Sequence, residues 1–501
     1  MKKLFCLFSL MAISQFIAQA QRFNGYTLYS LQNATSAVLM DSNQVSIKTW
    51  NFPAADRTGY STYMEPGGTL VRAVSRTGNS FTGGPICGKI QKVDYQGNII
   101  WDFVYSTTDY CTHHDICPLP NGNVLAIAYE RRSAAETSAM GGNNAIEMWP
   151  DKIVEIQPTG LTTGNVVWEW KAWDHLLQTV DPNKPNYVSN ASANPGRLNI
   201  NYKQTKDWLH LNGIDYNPLL DQIIVSSRYL SEWLVIDHST TTAEAATSNG
   251  GNSGKGGDIL FRWGNPESYG VPGTAILNVT HDAHWIPEGY PNAGRMAGFN
   301  NKGVSATQSA GDEMFPPING YNYNYTQGQA YLPNSYAKRH EANGYTSNMG
   351  GYQHLPNGNR LVTIALSGKM YEIDSNNTQL WTKTVQGSIS KAKMYPICYI
   401  DTPVINAPTV SVNGSQLTSS NAASYQWYRN GEAITGATSQ NYTATQSGVY
   451  LVRVSDPKAC YFKYSTGVKI TLWPASTTDL SLTNQTTIYP NPTQGRVRVY
   501  C

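Results

Sequence analysis

Nine histidines in 501 residues are few enough that any clustering of them carries information. Two stretches stand out. Thr280-His281-Asp282-Ala283-His284-Trp285-Ile286-Pro287 and Thr112-His113-His114-Asp115-Ile116-Cys117-Pro118-Leu119-Pro120-Asn121-Gly122-Asn123 each hold a His-Asp pair six residues before the proline of a turn. Strand side chains alternate with a period of two and rise about 3.3 Å per residue. Equal spacing therefore places His114 and His281 on the same face at the same height, if both stretches are strands. Asp115 and Asp282 are then expected on the opposite face, out of reach of anything the histidines hold. A third stretch, His210-Leu211-Asn212-Gly213-Ile214-Asp215-Tyr216, has its histidine eight residues before Pro218, and Ser226-Ser227-Arg228 ends the next strand with a cation.

Neutral imidazoles beside a guanidinium suit two chemistries. Imidazole is a common metal ligand, but the expected direction of the two aspartates keeps them out of a ligand sphere. In nucleophilic transfer, one imidazole nitrogen attacks an activated group. The other imidazoles and the arginine then stabilise its oxygens and the departing anion.

Such residues must be brought together by a scaffold. Tyrosine, asparagine, glycine and threonine abound while charged residues are only 14%, a profile of strands and turns. A two-part unit recurs from about Thr35. A strand leads through a turn to a tryptophan-ended strand, as in 92–101; a second strand pair follows around Pro-x-Gly or Pro-Asn-Gly-Asn. Asn-Gly between apolar runs is a strong hairpin signal. The units join Val38–Trp50 to Tyr60–Val74, Lys89–Val104 to His113–Tyr129, Lys152–Trp170 to Leu209–Arg228, and Trp233–Trp263 to His281–Phe299. A fifth keeps Met349–Leu366, and a sixth, Lys369–Ile400, has a weak return strand. Repeats of roughly 40 residues built from short strands indicate a β-propeller. The expected fold class is all-β: a six-bladed β-propeller over 21–402, followed by a small sandwich. In a ring, the histidines at the starts of the return strands converge.

Beyond Pro403 the pattern changes. Ser424-Tyr425-Gln426-Trp427 and Gly448-Val449-Tyr450 resemble an immunoglobulin-like sandwich module over 407–473. Ile488-Tyr489-Pro490-Asn491-Pro492 resembles the opening of a type IX secretion sorting domain, incomplete over 484–501, which implies the type IX machinery as a partner. Lys2 and Lys3 before the apolar run Leu4–Ile17, with Ala18-Gln19-Ala20 after it, predict a signal peptide at 1–20. The chain is thus expected to be exported through the periplasm to the cell surface or medium, with no transmembrane segment. A formal charge of +2 gives no support for nucleic-acid binding. Cys111 and Cys117, six apart on one extended strand, would lie roughly 20 Å apart and are expected to be free or paired elsewhere.

The Thr280-His281-Asp282-Ala283 stretch, the His-His-Asp-Ile-x-x-Leu-Pro-Asn-Gly-Asn stretch, the His210 stretch and Ser226-Ser227-Arg228 together resemble bacterial arylsulfate sulfotransferases, over roughly 35–400. The resemblance implies a six-bladed propeller that moves a sulfuryl group from a phenolic sulfate donor to a phenolic acceptor. It implies a sulfohistidine intermediate and no nucleotide donor, metal or other cofactor. His281 would be the nucleophile, with His114, His210 and Arg228 around the sulfuryl group. His113, Tyr60 (at the matching place of the first unit) and Asn212 would bind substrate. The stretch 301–348, with Tyr321, Tyr323, Tyr325, Tyr331 and Tyr336, is either an aromatic wall for phenolic rings or a surface insertion. His284 and His354 are expected to be structural. The alternative function is a non-catalytic secreted propeller that binds glycans or other surface ligands.

Overall fold

A computed structural model describes residues 21–472 and the backbone of 487–490 and 497–500. The expected signal peptide lies outside the described residues. So does most of 484–501, where Thr487–Pro490 pairs with Val497–Tyr500.

Between Gly25 and Pro396 the chain folds into six antiparallel sheets of four strands each. Turn chemistry sets the hairpins. Asp94 Oδ1 accepts from the amides of Gly97 and Asn98, 2.8 Å each, and Asn121 Oδ1 accepts from Asn123 N at 3.0 Å; such local bonds favour turns over continued strand. In five sheets the chain begins at an inner strand and works outward. The inner strands are Arg57–Met64, Tyr110–Pro118, Leu211–Asn217, Thr280–Trp285 and Gly351–His354. The remaining sheet takes its inner strand, Lys393–Pro396, from the far end of this region and pairs it with Gly25–Tyr29. The weak return strand expected near 400 is this closing strand.

The repeat units read from the sequence straddle the sheets. Lys89–Val104 belongs with Arg57–Ser75, not with the His113 hairpin. Hairpin signals identify which strands pair in sequence, but do not say which pairs share a sheet. The recurring tryptophan marks the joint. Trp50 on one outer strand donates its indole N–H to Asp94 O of the next sheet's turn, and Trp101 donates to Thr163 O of the sheet after, both at 3.0 Å. Both are buried wedges between sheets.

The six inner strands close on one another through hydrogen bonds. Tyr63 Oη donates to Asp115 at 2.8 Å, Ile214 N to Asp115 at 3.3 Å, Trp285 N to Asp215 at 3.0 Å and Tyr352 N to Asp282 at 3.0 Å. Gln353 exchanges two bonds with the Met394 backbone, and Met64 N donates to Tyr395 Oη, returning to the start. At the centre Lys391 Nζ reaches Asp115 Oδ2 at 2.6 Å and Asp282 Oδ1 at 2.9 Å, and Lys393 adds a contact to Asp282 at 3.3 Å. Asp115 and Asp282 therefore do not turn away from the ring interior as strict alternation would have them. Both meet at its centre, for a reason the site makes plain below.

Residues 405–470 form two further antiparallel sheets, of three and five strands, around Trp427, Leu417, Tyr450 and Val452. A disulfide ties Cys460 of this unit to Cys398, while Cys87, Cys111 and Cys117 are free and buried. Glu288 receives Tyr464 Oη and Arg453 Nη1 at 3.0 Å each, with Tyr428 Oη alongside. Tyr461, Phe462 and Lys463 help close a cavity of about 300 Å³ at the ends of the inner strands, beneath Lys391 and Asp282. Among the described residues no helix is long and apolar enough to cross a membrane.

Removing Lys391 while keeping its bulk leaves buried Asp115 without an ammonium and Asp282 with Lys393 alone. Lys391→Met should cost about 3–5 kcal/mol of unfolding free energy, the range for breaking a buried ion pair from one side. Urea unfolding measures it; a loss below about 1 kcal/mol would mean that the remaining bonds to Tyr63, Lys393 and the backbone suffice to hold the carboxylates.

Candidate active site

His114, His210 and His281 stand at or near the starts of their inner strands, and the ladders of those strands are interrupted there. In Tyr110–Pro118, the five residues Thr112–Ile116 oppose only three, Ala126–Ala128. In Thr280–Trp285, the four residues His281–His284 oppose three, Ala297–Phe299. Thr58 to Thr62 and Leu211 to Gly213 are bulged in the same way. Bulges bend a strand and re-aim its side chains. The period-two argument from the sequence therefore fails in this layer. The bulges, not equal spacing, turn His114 and His281 inward, and they also let Asp115 and Asp282 point to the centre.

The backbone here is strained. His114, His210, Val279, Asp282 and Met349 all have positive φ, between 51° and 57°, a region costly for residues other than glycine and most so for β-branched ones. Gly213 allows the closest approach: a Cβ there would sit 2.6 Å from Ser226 Oγ and 2.8 Å from Asp282 N. Strain of this kind collects where function fixes a geometry that packing alone would not choose.

His281 is buried, and its two ring nitrogens have distinct partners. Nδ1 lies 2.6 Å from Asn301 Oδ1, and Nε2 accepts from Met349 N at 3.1 Å. Asn301 spends its NH₂ on the carbonyls of Thr346 (2.9 Å) and Met349 (2.8 Å). Its oxygen is thus left as acceptor, so Nδ1 carries the proton and Nε2 the lone pair. Burial, aided by the charge of Arg228 and by His210 and opposed by the Asn301 bond, lowers the imidazole to about 3. His281 is a neutral imidazole with an oriented, basic Nε2.

Around it stand His114 and His210, their rings edge to face at 4.4 Å. Burial first, then His210, His113, His281 and Arg228, hold His114 well below the usual range. His210 Nδ1 bonds Asp207 Oδ2 at 2.6 Å, and its ring meets Tyr229 edge-on at 5.2 Å. The Arg228 guanidinium has one protein bond among the described residues, a long 3.4 Å contact to Ser347 O, and no carboxylate partner. A guanidinium left unpaired between imidazoles is a place for an anion. Among the described residues no three His, Cys, Asp or Glu side chains are grouped to hold a metal ion.

The other residues singled out in the sequence fall in different places. Tyr60 packs edge-on against His114 at 5.2 Å and stays with the site. His113 stands behind it, fully buried, stacked on Tyr129 at 3.6 Å and bonded Nδ1 to Nδ1 with His114 at 2.8 Å. Asn212 is also fully buried: it donates to Thr280 O at 2.9 Å and accepts from Ser226 Oγ at 2.7 Å. It holds the residue before His281. Tyr323 and Tyr331 pack with Phe261 on the fourth sheet, while the end of the same insertion, Thr346–Met349, reaches His281 and Arg228. His284 faces the lower cavity, within 3.4 Å of His354. Asn301, Met349 and Asp207 were not singled out in the sequence. Asp207, three residues before His210, had a local signal; Asn301 had none, because its partner is a strand away.

Two outcomes follow from this electrostatic arrangement. Asn301→Asp should stabilise the His281 imidazolium and move its titration up from about 3 toward the usual 6.5. Nitrogen NMR of His281 reads both this and the tautomer; an unmoved titration would mean that Asn301 does not face Nδ1–H. Buried His281 and His284, both lowered to about 3, bind protons in the unfolded chain before they do in the folded one. Between about pH 6.5 and 3 the unfolded state therefore holds more protons and stability falls as pH falls. The thermal midpoint should drop across that window, and a flat midpoint would contradict it.

A family model described as Arylsulfotransferase (ASST) matches residues 68–396. No curated protein matches the sequence. Among solved structures, a Bacteroides caccae protein of unknown function aligns at 10% identity and a TM-score of 0.42, over 74% of this chain and 98% of its own. The Pseudomonas aeruginosa periplasmic gluconolactonase PpgL aligns at 8% and 0.37, over 89% and 96%, and the Cps50 (Swd1) β-propeller domain of Myceliophteria thermophila at 9% and 0.36, over 72% and 87%. At such scores these likenesses bear no weight. The family match does, because it spans well over half of the chain and includes His114, His210, Arg228 and His281: this protein belongs to the arylsulfotransferase family.

Proposed function

We propose that the six sheets are the blades of a propeller carrying an aryl-sulfate sulfotransferase site, and that 407–473 is an immunoglobulin-like module. The chain is exported through its signal peptide and the type IX machinery. The reaction moves a sulfuryl group from a phenolic sulfate to a phenol through a sulfohistidine on His281, without a nucleotide donor.

The observation that carries this reading is the neutral His281, with Nδ1–H held by Asn301 and its Nε2 lone pair beside the unpaired Arg228. A phenyl sulfate carries one negative charge spread over three oxygens, which one guanidinium and two imidazoles can take up. Sulfur then approaches Nε2 in place of the Met349 N–H, which is freed to donate to a sulfuryl oxygen. As the N–S bond forms and the S–O bond to the aryl group breaks, His281 becomes an N-sulfonated imidazolium whose Nδ1–H remains on Asn301. A phenolate leaves and takes up a proton, and an acceptor phenol reverses the steps. Tyr60, against His114, offers an aromatic wall for the ring.

Wild-type protein with 4-nitrophenyl sulfate alone should gain the mass of one sulfuryl group on the peptide bearing His281, labile in acid and discharged by added phenol. His281→Ala should abolish transfer with the fold intact, whereas Arg228→Ala should cost about 10²–10³ in rate, the usual cost of losing one charge-stabilising donor. If nitrophenolate appears only when both substrates are bound and no adduct forms, transfer is direct and His281 is not the nucleophile.

A further inference from the structure

Behind His114 the hydrogen-bonded chain continues away from the site. His114 Nδ1 meets His113 Nδ1 at 2.8 Å, and His113 Nε2 lies 2.9 Å from Asp151 Oδ1. That last contact is short but not aligned as a hydrogen bond: His113 Nε2 and Asp151 Oδ2 are both buried without a bonded partner among the described residues. Asp151 Oδ1 receives Leu211 N, at 3.2 Å. Buried polar atoms left open in this way call for a reason, and three titratable groups in line with the site supply one. Resting on the sulfuryl-transfer reading, we propose that Asp151 stores the proton of the transfer cycle and exchanges it with the phenolic oxygen through His113 and His114.

The arrangement has two neutral-imidazole states. In the charged store, the Asp151 carboxylic acid donates to His113 Nε2, His113 Nδ1–H donates to His114 Nδ1, and His114 Nε2–H faces the substrate. When the S–O bond breaks, its electron pair leaves on the phenolate oxygen, which takes the proton from His114 Nε2. His114 Nδ1 takes the His113 Nδ1 proton, and His113 Nε2 takes the Asp151 proton. Asp151 is now a carboxylate, and His114 Nε2 is a lone pair ready to accept the proton of the incoming phenol. That phenol's oxygen forms the new O–S bond, the S–N bond breaks back onto His281, and the chain refills. No proton enters from solvent over the cycle, and neither relay histidine becomes an imidazolium.

Burial favours these states. It holds His113 and His114 well below their usual range, and, with Asp207 adding to it, pushes the Asp151 carboxyl well above its own. The competing arrangement is static: His113 and Asp151 only orient His114, and His210, backed by Asp207 at 2.6 Å, is the proton donor.

A series of aryl sulfates whose phenols range from nitrophenol to phenol separates the two, with phenol release followed in a single turnover without acceptor. Asp151→Asn cannot take or give the proton. It should leave 4-nitrophenyl sulfate discharge within about tenfold of wild type and slow phenyl sulfate by about 10²–10³, within the range for a lost general acid. His113→Phe, which keeps a ring on Tyr129, should steepen the dependence in the same way and stands in should Asp151→Asn not fold. Asp207→Asn should slow every donor by a similar factor. Equal slowing of all donors by Asp151→Asn and His113→Phe, or steepening in Asp207→Asn alone, would overturn the store and leave sulfuryl transfer standing. A wild type that discharges no aryl sulfate at all would overturn both.

Discussion

The Lys391 ammonium between Asp115 and Asp282 is the constraint on which the rest of this fold depends. All three groups are buried, and isolated charges at such depth are prohibitive. Burial opposes the charge on Lys391, but the two carboxylates outweigh it and hold its pKa well above the usual value; Lys391 and Lys393 in turn hold Asp282 well below. Only one geometry satisfies the set. Each aspartate also accepts a backbone N–H from the next inner strand, Ile214 or Tyr352, so the ion cluster fixes the register between neighbouring sheets. Because each aspartate directly follows a site histidine, the same cluster sets where His114 and His281 stand.

The bulges and strained residues are what this convergence costs locally. Two consecutive side chains on an ordinary strand face opposite ways, yet His114 and Asp115 both point inward, as do His281 and Asp282. The extra residues in each inner strand make this possible, and the pairing of the outer strands, which is regular through most of its length, holds them in place. A site built in this way is buried. Burial rather than a charged partner keeps His281 neutral, so its nucleophilic form persists far below the pH at which a free imidazole protonates. The same burial is why acid should weaken the fold.

The two ends of the inner strands are used differently. Their starts hold His114, His210 and His281 beside Arg228, while their ends surround the cavity that Tyr461, Phe462 and Lys463 help to close. The disulfide from Cys398 to Cys460 and the contacts to Glu288 fasten the C-terminal unit there. That unit is therefore part of the wall of this cavity, and a chain cut near Thr402 would open it from below.

Strand and turn content is legible in the amino-acid sequence, because Asn-Gly turns, Asp caps and recurring tryptophans act over a few residues. The sequence also marked His114, His210 and His281 as a set, since histidine is rare here and these positions recur at or near strand starts, with Arg228 as a cation at the end of a neighbouring strand. It misjudged which hairpins share a sheet and which way Asp115 and Asp282 point, because bulges leave no periodic trace and sheet membership depends on distant packing. Asn301 and the Thr346–Met349 turn were invisible as site residues for a similar reason. Their role lies in hydrogen bonds to His281 from 20 and 68 residues away, which exist only once neighbouring strands and sheets have closed. Residue types carry the chemistry of this site, but the tautomer, the neutrality and the inward aim that make it usable are properties of burial and closure, which only the tertiary structure decides.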